Sequence, residues 1–76
     1  MDIHLGSYLS WYVPDQPSRL EIKLAKPAPL IELVERLKLP VAEIAIAAVN
    51  GVLVSLTDAV VSDEDHVELH PPVGGG

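Results

Sequence analysis

Seven prolines interrupt the chain and limit the length of any regular element that it can form. A proline lacks the backbone N–H and restricts the residue before it, so helices and interior strands end at or near it. The longest interval without proline, residues 41–70, contains Asn50-Gly51, and both residue types accept the positive φ angles of a two-residue hairpin turn. The sequence therefore predicts short strands, a tight hairpin at this turn and a single helix.

The helix is predicted over residues 29–38. Pro29 suits the first helical position, where its missing N–H costs nothing, and Pro40 ends the element. Apolar side chains recur at helical spacing on one side of this segment and charged side chains cover the other. The apolar positions are Leu30, Leu33, Val34 and Leu37. Glu32 and Arg36 are expected to form an i,i+4 ion pair on the charged side.

Alternating apolar side chains predict the strands of one mixed sheet. The predicted strands are residues 2–9, 18–24, 44–49, 52–54 and 66–70, and the first two are expected to form an antiparallel hairpin. Residues 44–49 are nearly all apolar, which indicates an interior position in the sheet. A helical turn capped by Thr57 or Asp58 is expected to run through Val61. This order predicts an α+β fold with four or five strands and one main helix across one face of the sheet.

Charge and composition exclude several classes of function. Eleven acidic and five basic residues give a formal charge of −6, which argues against nucleic acid as a partner because binding to it depends on neutralising phosphates. No apolar stretch approaches the roughly 20 residues that cross a bilayer. Residues 1–4 lack the features of a secretory signal. We therefore expect a cytoplasmic protein without a membrane partner.

No metal site is expected either. The chain has no cysteine, which leaves no disulfide and no thiolate zinc cluster. His66 and His70 are four residues apart on a predicted strand, about 13 Å at roughly 3.3 Å per residue, which is too far for a shared metal ion. The acidic run at residues 63–65 is expected to be a solvated turn rather than a calcium loop.

The size of the chain favours a carrier or binding module over an enzyme. Its 76 residues allow one domain, and a domain this small buries only about 60% of the surface that its unfolded chain exposes. A preorganised catalytic pocket would compete with the core for the same residues. We expect residues 1–70 to form the domain and residues 71–76 to form a flexible C-terminal tail.

Three stretches of sequence, together with the order of elements, resemble the ubiquitin-like β-grasp sulfur carriers of the MoaD and ThiS type. These stretches are Val49-Asn50-Gly51, residues 63–69, and the terminal Pro71-Pro72-Val73-Gly74-Gly75-Gly76. The Pro-Pro-Val step is more similar to the molybdopterin carriers, MoaD, than to the thiazole carriers. The chain departs from the family at its start, with Gly6-Ser7-Tyr8 where an aromatic pair is common and Ser10-Trp11-Tyr12-Val13-Pro14 where Arg-Glu is usual.

The resemblance implies a sulfur carrier whose reacting residue is Gly76. An E1-like adenylating enzyme of the MoeB or ThiF type would use ATP and Mg²⁺ to activate the terminal carboxylate, which by itself is a poor electrophile. A sulfur donor protein would then convert the acyl-adenylate into a thiocarboxylate. The acceptor would be a MoaE-type large subunit of molybdopterin synthase, with this chain as the non-catalytic small subunit. No cofactor is expected to be bound permanently.

The resemblance also implies a partner-binding patch on the sheet face opposite the helix. In the family's pattern this patch is occupied by Tyr8, Leu53 and His70, and period-two counting puts Tyr8 and His70 on the same side. The tail residues Pro72, Val73, Gly74 and Gly75 are expected to enter a channel of the partner, since glycine allows close approach of two backbones. Trp11 either covers the core above the first loop, which is the expected role, or contacts a partner.

Three alternatives stay open. The same acyl-adenylate begins the conjugation of a ubiquitin-like modifier to lysines of target proteins. A carrier could also deliver its sulfur to the thiazole of thiamine or to tRNA. A third alternative is a β-grasp interaction domain in which residues 74–76 have no covalent role.

Overall fold

The computed structural model describes residues 1–15 and 17–72. Its elements, in chain order, are β1 (Asp2–Leu5), β2 (Arg19–Glu21), β3 (Ala28–Pro29), α1 (Leu30–Arg36), β4 (Ile46–Val49), β5 (Val52–Val54), β6 (Val60–Val61) and β7 (His66–His70). Five strands form a mixed sheet in the order β2-β1-β7-β4-β5, and β3 pairs with β6 in a second, two-stranded sheet. The predicted α+β, ubiquitin-like β-grasp fold is confirmed.

Strand β7 lies at the centre of the large sheet, parallel to β1 and antiparallel to β4. Its side chains alternate between the two faces, so that Val67 and Leu69 are completely buried while the residues between them are half-buried. The parallel register sets Ile3 beside Val67 and Leu5 beside Leu69. These four buried side chains therefore lie on one face of the sheet, and they form part of the core.

Helix α1 covers that face. Leu30, Leu33 and Val34 are almost inaccessible to solvent and belong to the same buried cluster as the apolar side chains of β1 and β7. The helix is shorter than predicted because Pro29 remains extended, with ψ of 134°, and Lys38 adopts a positive φ of 61° shortly after Arg36. The apolar face of the helix is confirmed as its core-facing side.

One prediction for α1 is wrong. The ion pair between Glu32 and Arg36 is not among those formed by the described residues. Both side chains are exposed, and an exposed pair gains little free energy in return for ordering two long side chains.

The first predicted strand is also too long. β1 ends at Leu5, and the residues Ser7–Tyr12 form a 3₁₀ helix. Gly6 donates its N–H to the carbonyl of Leu69, which continues the pairing for one step, but Ser7 has a positive φ of 49° that breaks the extended path. The second strand is likewise shortened from residues 18–24 to β2. The alternating pattern at the start of the sequence thus continues past the point where the backbone turns, which made the predicted strand too long.

The predicted helical turn does not extend to Val61, because Val60 and Val61 pair with Ala28 and Pro29 as β6. The local turn ends at Ala59, whose N–H bonds to the carbonyl of Ser55. Valine is stiff at χ1 and favours strands, which agrees with this pairing.

The predicted hairpin and its neighbours are confirmed. Asn50 and Gly51 have φ angles of 52° and 84°, as a two-residue turn of this type requires. β5 and β7 have the predicted bounds. β4 begins at Ile46 and not at the predicted residue 44, because the N–H of Ile44 still bonds to the carbonyl of Val41 in the preceding turn. β4 lies between β7 and β5, in the interior of the sheet.

The acidic turn before β7 stabilises the hairpin through Asp65. The carboxylate of Asp65 accepts hydrogen bonds from the backbone N–H of Ser62 at 2.8 Å and from the Asn50 side chain at 2.9 Å. These bonds hold the pKa of Asp65 below its usual value, and the bond from the Ser62 N–H has the largest effect. The backbone N–H of Leu24 similarly lowers the pKa of Asp63. The turn is therefore a hydrogen-bonded junction between distant segments.

We expect Asp65→Asn to lower the free energy of unfolding at neutral pH and to make this free energy less sensitive to a fall in pH. A group whose pKa is lowered by folding contributes stability above its unfolded pKa, and this contribution is lost as the pH falls through the folded pKa. The urea midpoint should therefore fall less between about pH 5 and pH 2 in this variant than in the wild type. Glu64→Gln removes an exposed charge from the same turn and serves as the control. An equal change in both variants would contradict the role of the Asp65 hydrogen bonds.

Candidate partner-docking site

The candidate docking surface is the face of the large sheet that points away from α1, which we call the outer sheet face. One row of paired residues crosses it from a polar to an apolar side: His4 on β1, Glu68 on β7, Ala48 on β4 and Leu53 on β5. Leu53 has 73% of its surface exposed. The apolar side of the face is thus available to a partner.

The polar side of the outer sheet face centres on Glu68. One of its carboxylate oxygens lies 3.5 Å from Nε2 of His70 and 4.0 Å from Nδ1 of His4. The two imidazole rings meet edge to face, with their centroids 6.0 Å apart. A separate pair on the same face joins His66 to Asp2. The face therefore presents histidine–carboxylate contacts beside an apolar surface formed by Leu53 and Ile46.

His70 is the last residue of β7, and its ring lies against the backbone of Gly6. A Cβ atom added to Gly6 would be 2.2 Å from Nδ1 of His70 and 2.8 Å from its Cε1. Only a residue without a side chain fits beneath the ring in this position. Gly6 therefore positions the imidazole that closes the end of the outer sheet face.

Gly6→Ala is expected to lower the free energy of unfolding by about 1 kcal/mol, because the His70 ring must leave its position. In a His70→Ala background the same substitution should raise it by about 0.4–1 kcal/mol, since Gly6 has ordinary extended angles and alanine restricts the unfolded chain. Urea denaturation of the four proteins in this cycle measures both changes. If Gly6→Ala changed the free energy of unfolding with the same sign in both backgrounds, the position of the His70 ring would not depend on Gly6.

Tyr8 lies at the end of the sheet and not on a strand, so the period-two argument that placed it is wrong. It belongs to the 3₁₀ helix Ser7–Tyr12, which contacts β7. Its hydroxyl donates to Oε2 of Glu43 at 2.8 Å, and this hydrogen bond to a carboxylate raises the pKa of Tyr8. Leu53 and His70, by contrast, lie on the sheet face that the family pattern indicated.

Trp11 does not cover the core, which corrects the expected role. It is 69% exposed, and Leu9 is the residue of this segment that enters the core. The ring of Trp11 lies near that of Tyr8, with centroids 6.3 Å apart and an angle of 50° between the planes. Sequence reasoning also missed His4, Ile46 and Glu68 as members of the outer sheet face. The alternation in β1, β4 and β7 was the signal that could have found them.

The predicted tail begins inside the described part of the chain. Pro71 is buried and Pro72 is exposed, so the backbone leaves the core directly after the central strand. The predicted residues Val73, Gly74, Gly75 and Gly76 lie outside the described residues.

Among residues 1–15 and 17–72, no group of three histidine or acidic side chains has an arrangement that could hold a metal ion. No helix in that part of the chain is long and apolar enough to cross a membrane.

Comparison with known proteins identifies a family. Residues 12–76 match the model of the ThiS family, which covers β2 to β7, α1 and the C-terminal glycines. No curated protein sequence matches the chain. The matched range begins at Tyr12, and therefore β1 and Trp11 lie outside it.

Proposed function

The chain belongs to the ThiS family, whose members are sulfur carriers, and on this premise we propose that it carries sulfur as a thiocarboxylate on Gly76. The observation that supports this role most is the sequence that follows the central strand. The central strand β7 stops at His70, Pro71 and Pro72 prevent its continuation, and Val73 and three glycines follow. Proline cannot extend the ladder of the sheet, and glycine lets a chain pass close to another backbone.

The chemistry takes place on the terminal carboxylate and needs no catalytic group on this chain. An E1-like adenylating enzyme transfers AMP from ATP to the carboxylate of Gly76 and releases pyrophosphate. Sulfide supplied by a sulfur donor protein then attacks the acyl carbon, AMP leaves as its bond to this carbon breaks, and the thiocarboxylate remains. Because this reaction consumes ATP, which the partner binds with Mg²⁺, the proposal includes a cytoplasmic location and no cofactor held by the carrier.

The proposed acceptor is a MoaE-type large subunit, which would make the chain the non-catalytic small subunit of a molybdopterin synthase. The support is the Pro71-Pro72-Val73 step, which is more similar to the molybdopterin carriers than to the thiazole carriers. Thiamine thiazole and tRNA are the alternative acceptors.

Docking of both partners is proposed to use the outer sheet face. Leu53 supplies exposed apolar area, and His70 lies at the end of β7, close to the point where the tail begins. A partner that covers this face would be next to the chain end that it must accept. Tyr8 extends the surface beyond the end of the sheet.

The test is the intact mass of the protein after incubation with an adenylating enzyme of the ThiF or MoeB type, MgATP and sulfide. Exchange of one carboxylate oxygen for sulfur adds about 16 Da. Omission of ATP is the control and should give no change. Transfer of the sulfur to a molybdopterin precursor in the presence of a MoaE-type protein would identify the acceptor.

Two other results would overturn the proposal. Covalent attachment of the chain to lysines of other proteins, without the mass increase, would indicate a modifier. The absence of both products would indicate an interaction domain whose glycines have no covalent role.

A further inference from the structure

Trp11 is the one tryptophan of the chain, and more than two thirds of its surface is exposed. Burial of a large aromatic side chain is strongly favourable, and the core of this domain does not use it. Exposed tryptophans of this kind are enriched among the residues that contribute most to protein–protein binding. The segment departs from the family pattern and Trp11 lies before the matched range, so the family does not account for it.

The residues around Trp11 are already held in place in the absence of a partner. Leu9 anchors the 3₁₀ helix in the core, and the hydrogen bond from Tyr8 to Glu43 restrains the tyrosine ring. Trp11 lies beside that ring. We call the two rings the aromatic platform. Side chains that are already ordered lose less conformational entropy on binding.

A negatively charged side chain lies beside the aromatic platform. The carboxylate of Glu43 contacts the Tyr8 hydroxyl, and the chain as a whole carries a formal charge of −6. A cation above the face of an indole ring is attracted by the ring quadrupole. The nearby carboxylate and the net negative charge also attract a cation. A partner surface with acidic side chains at this position would be repelled.

We propose that the aromatic platform, formed by Trp11 beside Tyr8 and Glu43, binds an arginine or lysine side chain of the adenylating enzyme. The inference rests on the proposed function, because it takes that enzyme as the partner. The platform is continuous with the outer sheet face, since the 3₁₀ helix contacts β7 and the ring of His70 lies on Gly6. A partner docked at the His70 end of the outer sheet face would therefore lie beside the 3₁₀ helix that carries Trp11.

The test uses the full chain labelled with 5-fluorotryptophan, which gives a single ¹⁹F signal from Trp11. Titration with the ThiF-type adenylating enzyme of the same organism should shift or broaden this signal. Trp11→Ala should weaken binding by about 10-fold or more, as for a central anchor residue. Trp11→Phe should retain more affinity than Trp11→Leu, because only the former keeps a ring that attracts a cation. Val60→Ala, at a residue 62% exposed on β6, is the matched control and should change the affinity by less than about 2-fold.

The outcomes separate this inference from the proposed function. If the enzyme binds and the mass increase occurs while the ¹⁹F signal and the affinity of Trp11→Ala stay unchanged, the aromatic platform is not part of the interface and the sulfur-carrier proposal stands. Equal affinity of the Phe and Leu variants would overturn the cation contact. Failure of the wild type to bind the enzyme and to gain mass would overturn both proposals.

Discussion

Removal of Gly76 is expected to slow formation of the thiocarboxylate by about 100-fold or more, because a displacement of even 1 Å from the reacting geometry can cost that much. The shortened chain still ends in a glycine carboxylate, but the reacting carbon lies one residue, or roughly 3.5 Å, farther from the position that the adenylating enzyme requires. The chemical group is therefore unchanged and only its reach differs. The measurement is the rate at which the mass increase appears with enzyme, MgATP and sulfide.

The denaturation midpoint of the shortened protein is the control. The buried cluster extends from Met1 to Leu69, so we expect the midpoint to match that of the wild type. Conversion at the wild-type rate would contradict a reaction centre at Gly76. A lowered midpoint would show instead that the deletion acts through folding.

Leu69→Ala is expected to lower the free energy of unfolding by about 2–5 kcal/mol. Leu69 is completely buried and lies on the central strand, where it pairs with Leu5 on one side and Ala47 on the other. A domain of this length has a total stability of about 4–11 kcal/mol. The substitution therefore removes a large part of the stability and should shift the urea midpoint far below that of the wild type.

Leu53→Ala makes the same chemical change on the opposite face of the sheet. Leu53 is 73% exposed, and its truncation should change the stability by less than about 0.5 kcal/mol. Urea denaturation followed by circular dichroism compares the two variants, because the exposed Trp11 is a poor fluorescence probe of unfolding. Similar losses in both would contradict the assignment of the two faces.

Several elements could be predicted from the sequence because their causes are local. Asn50-Gly51 favours its turn by the φ angles that these residues accept, and Pro71 ends β7 wherever the strand lies. The apolar spacing of Leu30, Leu33 and Val34 similarly identified the buried side of α1. In each case the relevant residues are within a few positions of one another.

Two errors arose where a distant partner decided the local conformation. Val60 and Val61 form β6 because Ala28 and Pro29, more than thirty residues earlier, provide the matching edge. β1 ends at Leu5 because Ser7 adopts a positive φ beside the end of β7. Neither partner can be read from the periodicity of the segment itself.

The sequence by itself determined the fold class, the hairpin, the strand at residues 66–70 and the glycine end that the family shares. Only the tertiary structure decided which side chains form the outer sheet face and that Trp11 is exposed. Glu68 lies between His4 and His70 because a parallel strand pair joins residues from opposite ends of the chain. The physical reason is the range of the interactions: turns and caps depend on neighbouring residues, whereas a surface depends on strand register and on which segment occupies the core.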